Sequence, residues 1–220
     1  MHLRMYDHGS FKKAKGGPGW HIPINIDGGQ HGQVIHVVHC NEQGEPLWDQ
    51  IMRAEIGGGC FLPVVMEKGL PKFGLQKMER PQAIDNEKYR SEFPKIDLTN
   101  LGRVGWEIPR GFANMGDKSG AETATREAQE ETQSVVTSSD TLALVCDNTA
   151  MHPHLTTITM GQLDLSKKPV DKPDRNEKIV GKIQFFTPAQ LAQMIREGVL
   201  YDGFTLTAIS LYVLLKCKIA

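Results

Sequence analysis

Four residues on one short stretch have the types and spacing to do chemistry together: Arg126, Glu127, Glu130 and Glu131. On a helix, Glu127 and Glu131 are four apart and share a face, Glu130 lies beside them, and Glu122, Arg126 and Glu130 form an i, i+4 ladder. Three carboxylates at the C-terminal end of a helix repel one another. Two unit charges ~5 Å apart at an effective dielectric of ~20 cost roughly 3 kcal/mol, and that helix end is itself negative. Arg126 offsets one charge. A hard divalent cation, Mg²⁺ or Mn²⁺, bound through carboxylate oxygens and waters, would offset all three. The other reading of the run is a solvated Glu-rich face, which is common on exposed helices.

The elements that must carry these residues are legible on either side. Ser119 followed by Glu122 is a capping-box pattern, so a helix should begin at about Gly120 and continue through Ala121, Ala124 and Ala128. Before it, Trp106 and Ile108 alternate with polar neighbours as a short strand does, until Pro109 and Gly111 stop it. Upstream, 60–66 reads as a strand, Glu67-Lys68-Gly69 as a turn and 73–80 as the returning strand. The Gly57-Gly58-Gly59 triplet lacks the Lys-Ser/Thr ending of a phosphate loop and no helix follows, so it reads as a hinge. Downstream, 141–147, 156–165 and 179–186 are strand-like. Thr187, Pro188 and Gln190 then supply an N-cap, a first-turn proline and a capping-box partner for a helix ending at Gly198. Asp202-Gly203 opens a last helix whose Leu206, Ile209, Leu211, Val213, Leu214 and Leu215 should be mostly buried.

At the other end, the β-branched run 34–40 meets a turn signal at Asn41-Glu42-Gln43-Gly44, and 48–56 supplies a return strand. Residues 1–20 are basic and glycine-rich, and should be loosely attached. His36 and His39 lie on opposite faces of a strand and His152 and His154 in a proline loop, so none reads as a ligand. Residues 82–103 are too long for an ordinary hairpin loop and suit a lid or dimer contact. The loop 166–178 holds Asp171, Asp174 and Glu177. The reading is an α+β fold: a mixed β-sheet between helices over residues 57–220, preceded by a small N-terminal antiparallel sheet within 1–56.

Composition narrows the classes. Lys plus Arg number 25 against 26 Asp plus Glu, so no global field attracts nucleic acid or an anionic membrane. The most apolar segment, 206–215, is too short to span a bilayer. Four scattered cysteines without metal or redox spacing suit reduced thiols, and no leader-like start is visible, so the expected location is the cytoplasm.

The pattern Gly111, Asp117, Arg126-Glu127 and Glu130-Glu131, led in by Glu107-Ile108-Pro109-Arg110, resembles the signature of the Nudix hydrolase family. That box runs Gly, five residues, Glu, seven residues, then Arg-Glu-aliphatic-any-Glu-Glu-any-Gly-aliphatic. Here Asp117 stands where Glu is usual, eight residues separate it from Arg126, and Gln133 and Ser134 replace the closing pair. Gln133 thereby lacks the easy left-handed conformation that glycine gives a helix end. The downstream Phe185-Phe186-Thr187-Pro188 and Asp202-Gly203 are similar to the ADP-ribose and nucleotide-sugar pyrophosphatase branch.

The resemblance implies a Nudix-type fold and a Mg²⁺-dependent hydrolase that splits the pyrophosphate of a nucleoside diphosphate linked to another moiety. It assigns metal binding to Glu127, Glu130, Glu131 and the backbone carbonyl of Arg110, and catalysis to Glu130, Glu131 and Arg126. It places Arg80, Glu107 and Arg110 at the substrate. It also implies a homodimer through the N-terminal sheet, whose two short strands would bury little alone. A general base kept off the metal points to the acidic loop, with Glu177 closest to a supporting strand. Trp106 reads as core rather than as a platform for a base. The alternatives are a non-catalytic nucleotide-binding or sensor module of the same fold, or a hydrolase for a dinucleoside polyphosphate or NADH.

Overall fold

The computed structural model describes residues 4–6, 19–23, 27–29, 32–55, 57–79, 104–146, 154–169 and 179–217. Arg80, Asp171, Asp174, Glu177, His152 and the expected lid at 82–103 lie outside them. The chain divides into two compact units, Met1–Gly57 with Cys146–Leu155, and Gly58–Val145 with Thr156–Ala220.

In the first unit, β4 (Gly32–Cys40) is the spine of a five-stranded sheet. It pairs antiparallel with β2 (Gly19–Pro23), β3 (Asp27–Gly29) and β5 (Pro46–Glu55), while β1 (Arg4–Tyr6) pairs parallel with β2. The β4–β5 hairpin is the one expected from the sequence. Its turn is held by Asn41, whose Oδ1 accepts the N–H groups of Gln43 at 3.0 Å and Glu45 at 2.9 Å, and Gly44 supplies a φ of 79°. The sheet is larger than expected, because Arg4–Tyr6 is a strand within the stretch 1–20 that reads as loose tail, and Gly19–Pro23 is a strand that begins at its end. Strands of three and five residues are too short for alternation to announce them.

The second unit is built around β6 (Gly58–Glu67), which lies parallel to β11 (Thr156–Asp164) and antiparallel to β7 (Leu70–Glu79). Lys68 and Gly69, with φ of 50° and 81°, make the tight turn between β6 and β7, as suits a two-residue hairpin loop. β10 (Val135–Val145) flanks β11, and β12 (Ile179–Phe186) flanks β7. The two hairpin strands pair only near their turn, from Val64 opposite Phe73 to Glu67 opposite Leu70. Beyond that they part, and the opening is filled by β8 (Val104–Glu107) on β7 and β9 (Arg110–Phe112) on β6. Pro109 sits between the two short strands, where its missing N–H costs no ladder bond, and its carbonyl accepts the Phe61 N–H at 2.9 Å.

Alternation along β6 places a layer on each face of this sheet. Cys60, Leu62 and Val64 join Phe73, Leu75, Ile108 and Ile158 beneath α2 (Pro188–Arg196) and α3 (Gly203–Lys216), which contribute Leu191, Met194, Ala208 and Tyr212. Phe61, on the opposite face, packs with Ala124 and Ala128 of α1 (Gly120–Thr132). The fold is therefore α+β, a mixed sheet between helices.

Helix boundaries follow the caps. Ser119 accepts the Glu122 N–H at 3.2 Å, while the Glu122 carboxylate reaches back to the Lys118 N–H at 2.7 Å rather than to Ser119. Thr187 and Gln190 form a complete capping box, and Asp202 caps α3 through the Thr205 N–H at 2.9 Å. Two expectations fail. The last helix is not mostly buried: Leu214 and Leu215 are 64% and 57% exposed, because its inward stripe is Thr205, Ala208 and Tyr212. The glycine triplet is not simply a hinge, since Gly58 and Gly59 lie within β6 and only Gly57, at φ 78°, precedes it. A Cβ on Gly59 would sit 2.1 Å from the Gly120 carbonyl oxygen, so glycine there is what lets α1 lie against the strand. Among the described residues no helix is long and apolar enough to cross a membrane.

Candidate active site

Helix α1 brings Glu127, Glu130 and Glu131 over β9, and the approach is close because residue 111 has no side chain. A Cβ on Gly111 would fall 2.1 Å from Cδ of Glu127 and 2.2 and 2.5 Å from its two oxygens. The Glu127 carboxylate thus rests on the β9 backbone. Glu127 and Glu131 are buried, at 7% and 4% exposure, Glu130 is half-buried against Arg126, and of the helix's acids only Glu122 is exposed. A solvated Glu-rich face does not describe them.

Arg126 ties the cluster together. Its Nε and Nη2 reach the two oxygens of Asp117 at 3.3 and 3.1 Å, and Nη2 also donates to the Phe112 carbonyl at 2.9 Å. Nη1 meets Glu127 at 2.7 Å and Glu130 at 2.9 Å. Only a planar guanidinium, with its five divergent N–H donors, can hold this set of acceptors at once. Burial opposes its charge, but the hydrogen bonds to Asp117 and the Glu127 charge outweigh burial and raise its pKa above the ordinary arginine value. Asp117 shows the converse. Burial pushes its pKa up, and hydrogen bonds from Arg126, the Asn114 N–H and the Thr123 hydroxyl overcome this and hold it below the usual aspartate value.

A second guanidinium closes the other side. Arg110 donates to Asp202 at 2.6 Å and Glu107 at 3.0 Å, and lies 5.1 Å over the Phe204 ring. Asp202 and Glu107 keep its pKa raised against the opposing effect of burial. Because Asp202 also caps α3, and Thr205 accepts the Ile108 N–H at 3.0 Å, this ion triad fixes the β8–β9 connection to the helix. The Arg110 backbone N–H faces Glu131 Oε1 at 3.4 Å, and the buried amide of Gln76 donates to Glu131 Oε2.

Of the residues picked out from sequence, Arg126, Glu127, Glu130, Glu131, Arg110 and Glu107 come together around β9 and the C-terminal half of α1. Arg80 and Glu177 lie outside the described residues. Trp106 packs edge-on against Phe186 with ring centroids 4.8 Å apart, with the Lys77 ammonium 5.1 Å over its ring, as a partly buried member of the core. His39 stacks on Trp48 at 5.8 Å. Sequence reasoning missed Asp202 and Gln76. Asp202 read only as a helix start, whereas Gln76 carried a usable signal, a polar residue at an inward position between Leu75 and Met78.

Six carboxylates (Glu107, Asp117, Glu127, Glu130, Glu131 and Asp202) surround two guanidiniums, so the cluster holds excess negative charge. Among the described residues no three acidic, histidine or cysteine side chains converge as a ready metal cage. Glu127 and Glu130 are turned to Arg126, and Glu131 to Gln76 and the Arg110 N–H. The donor chemistry nevertheless fits a hard divalent cation: anionic oxygens in excess of cations, on a backbone that glycine keeps open.

No protein-family model matches the chain, and no curated protein matches it. Among solved structures, one described as the crystal structure of an ADP compounds hydrolase superposes with a TM-score of 0.58 at 12% sequence identity, covering 90% of this chain and 94% of that one. At that identity the likeness is one of fold, and the shared architecture is an α+β fold with a mixed sheet between helices.

Proposed function

We propose that the chain is a divalent-cation-dependent Nudix hydrolase that cleaves the pyrophosphate bond of a nucleoside diphosphate linked to a second group, ADP-ribose or a nucleotide sugar. The observation that carries this reading is the seating of the buried Glu127 carboxylate on Gly111, with Glu131 one turn along and Arg126 locking Glu130 and Asp117. A solvated face needs none of this. The name of the similar structure, an ADP compounds hydrolase, agrees with the substrate class.

In the reaction, water attacks one phosphorus, the bond from that phosphorus to the bridging oxygen breaks, and the products are a nucleoside monophosphate and the phosphorylated second group. A diphosphate brings further negative charge to an already anionic cluster, so its approach needs cations between the two. Mg²⁺ or Mn²⁺ held by Glu127, Glu131, Glu130 and the Arg110 carbonyl would neutralise the diphosphate and lower the pKa of a bound water. Arg126 draws Glu127 and Glu130 to one nitrogen and orients them. Arg110, clamped by Asp202 and Glu107, holds the β9 backbone in place. Glu177 takes the proton of the attacking water and Arg80 contacts the substrate. The chain works as a homodimer paired through residues about 20–56, in the cytoplasm.

The test is incubation with ADP-ribose, ADP-glucose, NADH and diadenosine tetraphosphate, each with Mg²⁺, while nucleoside monophosphate is followed. Cation-dependent release from ADP-ribose or ADP-glucose is the expected result. No release from any of the four, from folded protein, overturns the reading.

A further inference from the structure

Gln76 is a polar side chain in a place that packing alone would give to an apolar one. It is 1% exposed in β7, between Leu75 and Met78, which are 0% and 1% exposed. Its neighbour across the ladder is Glu107, itself 4% exposed. Its Nε2 donates to Glu131 Oε2 and lies 3.6 Å from the sulfur of Met78, a weak acceptor. Its Oε1 is buried and has no hydrogen-bond partner among the described residues. Buried amide oxygens are nearly always satisfied, by protein or by bound water. An orphan acceptor next to two buried carboxylates therefore points to a ligand that donates hydrogen bonds or accepts oxygen, such as a hydrated cation.

We propose that Gln76 is a positioning residue of the cation site, its amide N–H fixing the Glu131 carboxylate and its amide oxygen receiving a water of the bound cation. The inference rests on the cation-binding reading of Glu127 and Glu131 and adds a residue to it. A donor to one carboxylate oxygen restricts the rotation of that group, and the other oxygen, which faces the Arg110 N–H at 3.4 Å, keeps a lone pair for the cation. Outer partners of this kind typically alter metal affinity by about 10-fold to 100-fold. An apolar side chain of the same length would fill the space equally well and do neither.

The experiment is titration of the full chain with Mn²⁺, followed by electron paramagnetic resonance of the free ion, in wild type, Gln76→Met and Glu131→Gln. Circular dichroism reports the folded fraction, and no substrate is present. Gln76→Met keeps the length and volume of the side chain, and should weaken Mn²⁺ binding at least about 10-fold while the protein stays folded. Folded Gln76→Met that binds Mn²⁺ as wild type does overturns the proposal, since a purely structural residue would change the melting temperature and leave the affinity alone. If Gln76→Met does not fold, Gln76→Asn retains the amide but withdraws it by one methylene; weakened Mn²⁺ binding by the folded variant supports the proposal and unchanged binding overturns it. Wild type that binds Mn²⁺ no better than Glu131→Gln overturns instead the cation-binding reading of the cluster, which separates the two failures.

Discussion

Gly111→Ala separates the chemistry of the site from the stability of the fold. The added Cβ would lie 2.1 Å from Cδ of Glu127. Ordinary carbon contacts are ~3.5–4.0 Å, so the carboxylate must retreat by about 1.5 Å. The displaced atoms are the end of a flexible side chain, which keeps the cost to stability in the overpacking range of ~1–3 kcal/mol. Arg126 keeps Asp117, Glu130 and the Phe112 carbonyl whether or not Glu127 stays. A misplacement of about 1 Å at a reacting centre costs on the order of 100-fold in rate, or ~2.7 kcal/mol of barrier. Turnover of ADP-ribose at saturating Mg²⁺ should therefore fall by about two orders of magnitude in a protein that is still folded by urea titration. Glu127→Gln, made on the native glycine, should show a loss of similar size without the steric cost. Wild-type turnover in folded Gly111→Ala would refute the reasoning, because the Glu127 carboxylate would then be working from somewhere other than its seat on β9.

Glu131→Gln should lose at least ~100-fold in turnover with an unchanged circular dichroism spectrum; full activity in the folded variant removes α1 from the mechanism. The lowered pKa of Asp117 means that its bonds stabilise the fold above the unfolded-state value of ~3.9 and that this contribution fades as pH falls through the folded value. Asp117→Asn should thus be less stable than wild type at pH 7, with the gap closing below about pH 4; urea midpoints that stay equally far apart across that range contradict the assignment. Glu177→Gln should lower turnover at pH 7 far more than it changes the Michaelis constant, with the deficit shrinking as hydroxide becomes available, and a wild-type pH profile places the base elsewhere. Light scattering at micromolar concentration should give twice the mass of one chain, and a single-chain mass removes the proposed dimer.

What the sequence discloses divides along physical lines. Helix α1 and its caps and the Thr187–Gln190 box rest on local rules, in which a side chain serves its own backbone within four residues. Those signals are written next to one another. The alternation of Cys60, Leu62 and Val64 with Phe61 is local too, but two helical layers on opposite faces bury every residue of the run, so the period vanishes and only length and β-branching mark the strand. The role of Gly58 and Gly59 is tertiary. Their neighbours are Gly111 and Gly120 with Ala124, more than fifty residues away, and a triplet of glycines looks the same in a hinge and in a close-packed strand. The exposed end of α3 fails for a related reason. Its apolar residues surround the helix, so the sequence cannot choose the Thr205, Ala208 and Tyr212 stripe over the Leu214 side. Asp202 is the same kind of case at the site, since its cap is visible from sequence and its 2.6 Å bond to Arg110 spans ninety-two positions.

Three departures from the pattern that this stretch resembles, at Asp117, in the loop after it and at Gln133, are answered by contacts. Asp117 is one methylene shorter than the customary glutamate, and the loop that leads to Arg126 is one residue longer. The longer loop lets the shorter acid reach the guanidinium with both oxygens, at 3.1 and 3.3 Å, while Asn114 and Thr123 hold it from behind. Gln133 takes the left-handed conformation in spite of its side chain, at φ 51° and ψ 39°. That geometry costs a non-glycine residue about 1 kcal/mol. It is offset here because Gln133 Nε2 donates at 2.7 Å to the carbonyl of Glu130, one of the four that a helix end leaves unpaired. A glycine could make the turn but could not make that bond. The substitution therefore fixes the carbonyl end of the turn that carries Glu130 and Glu131, and the altered box keeps its carboxylates in register with β9.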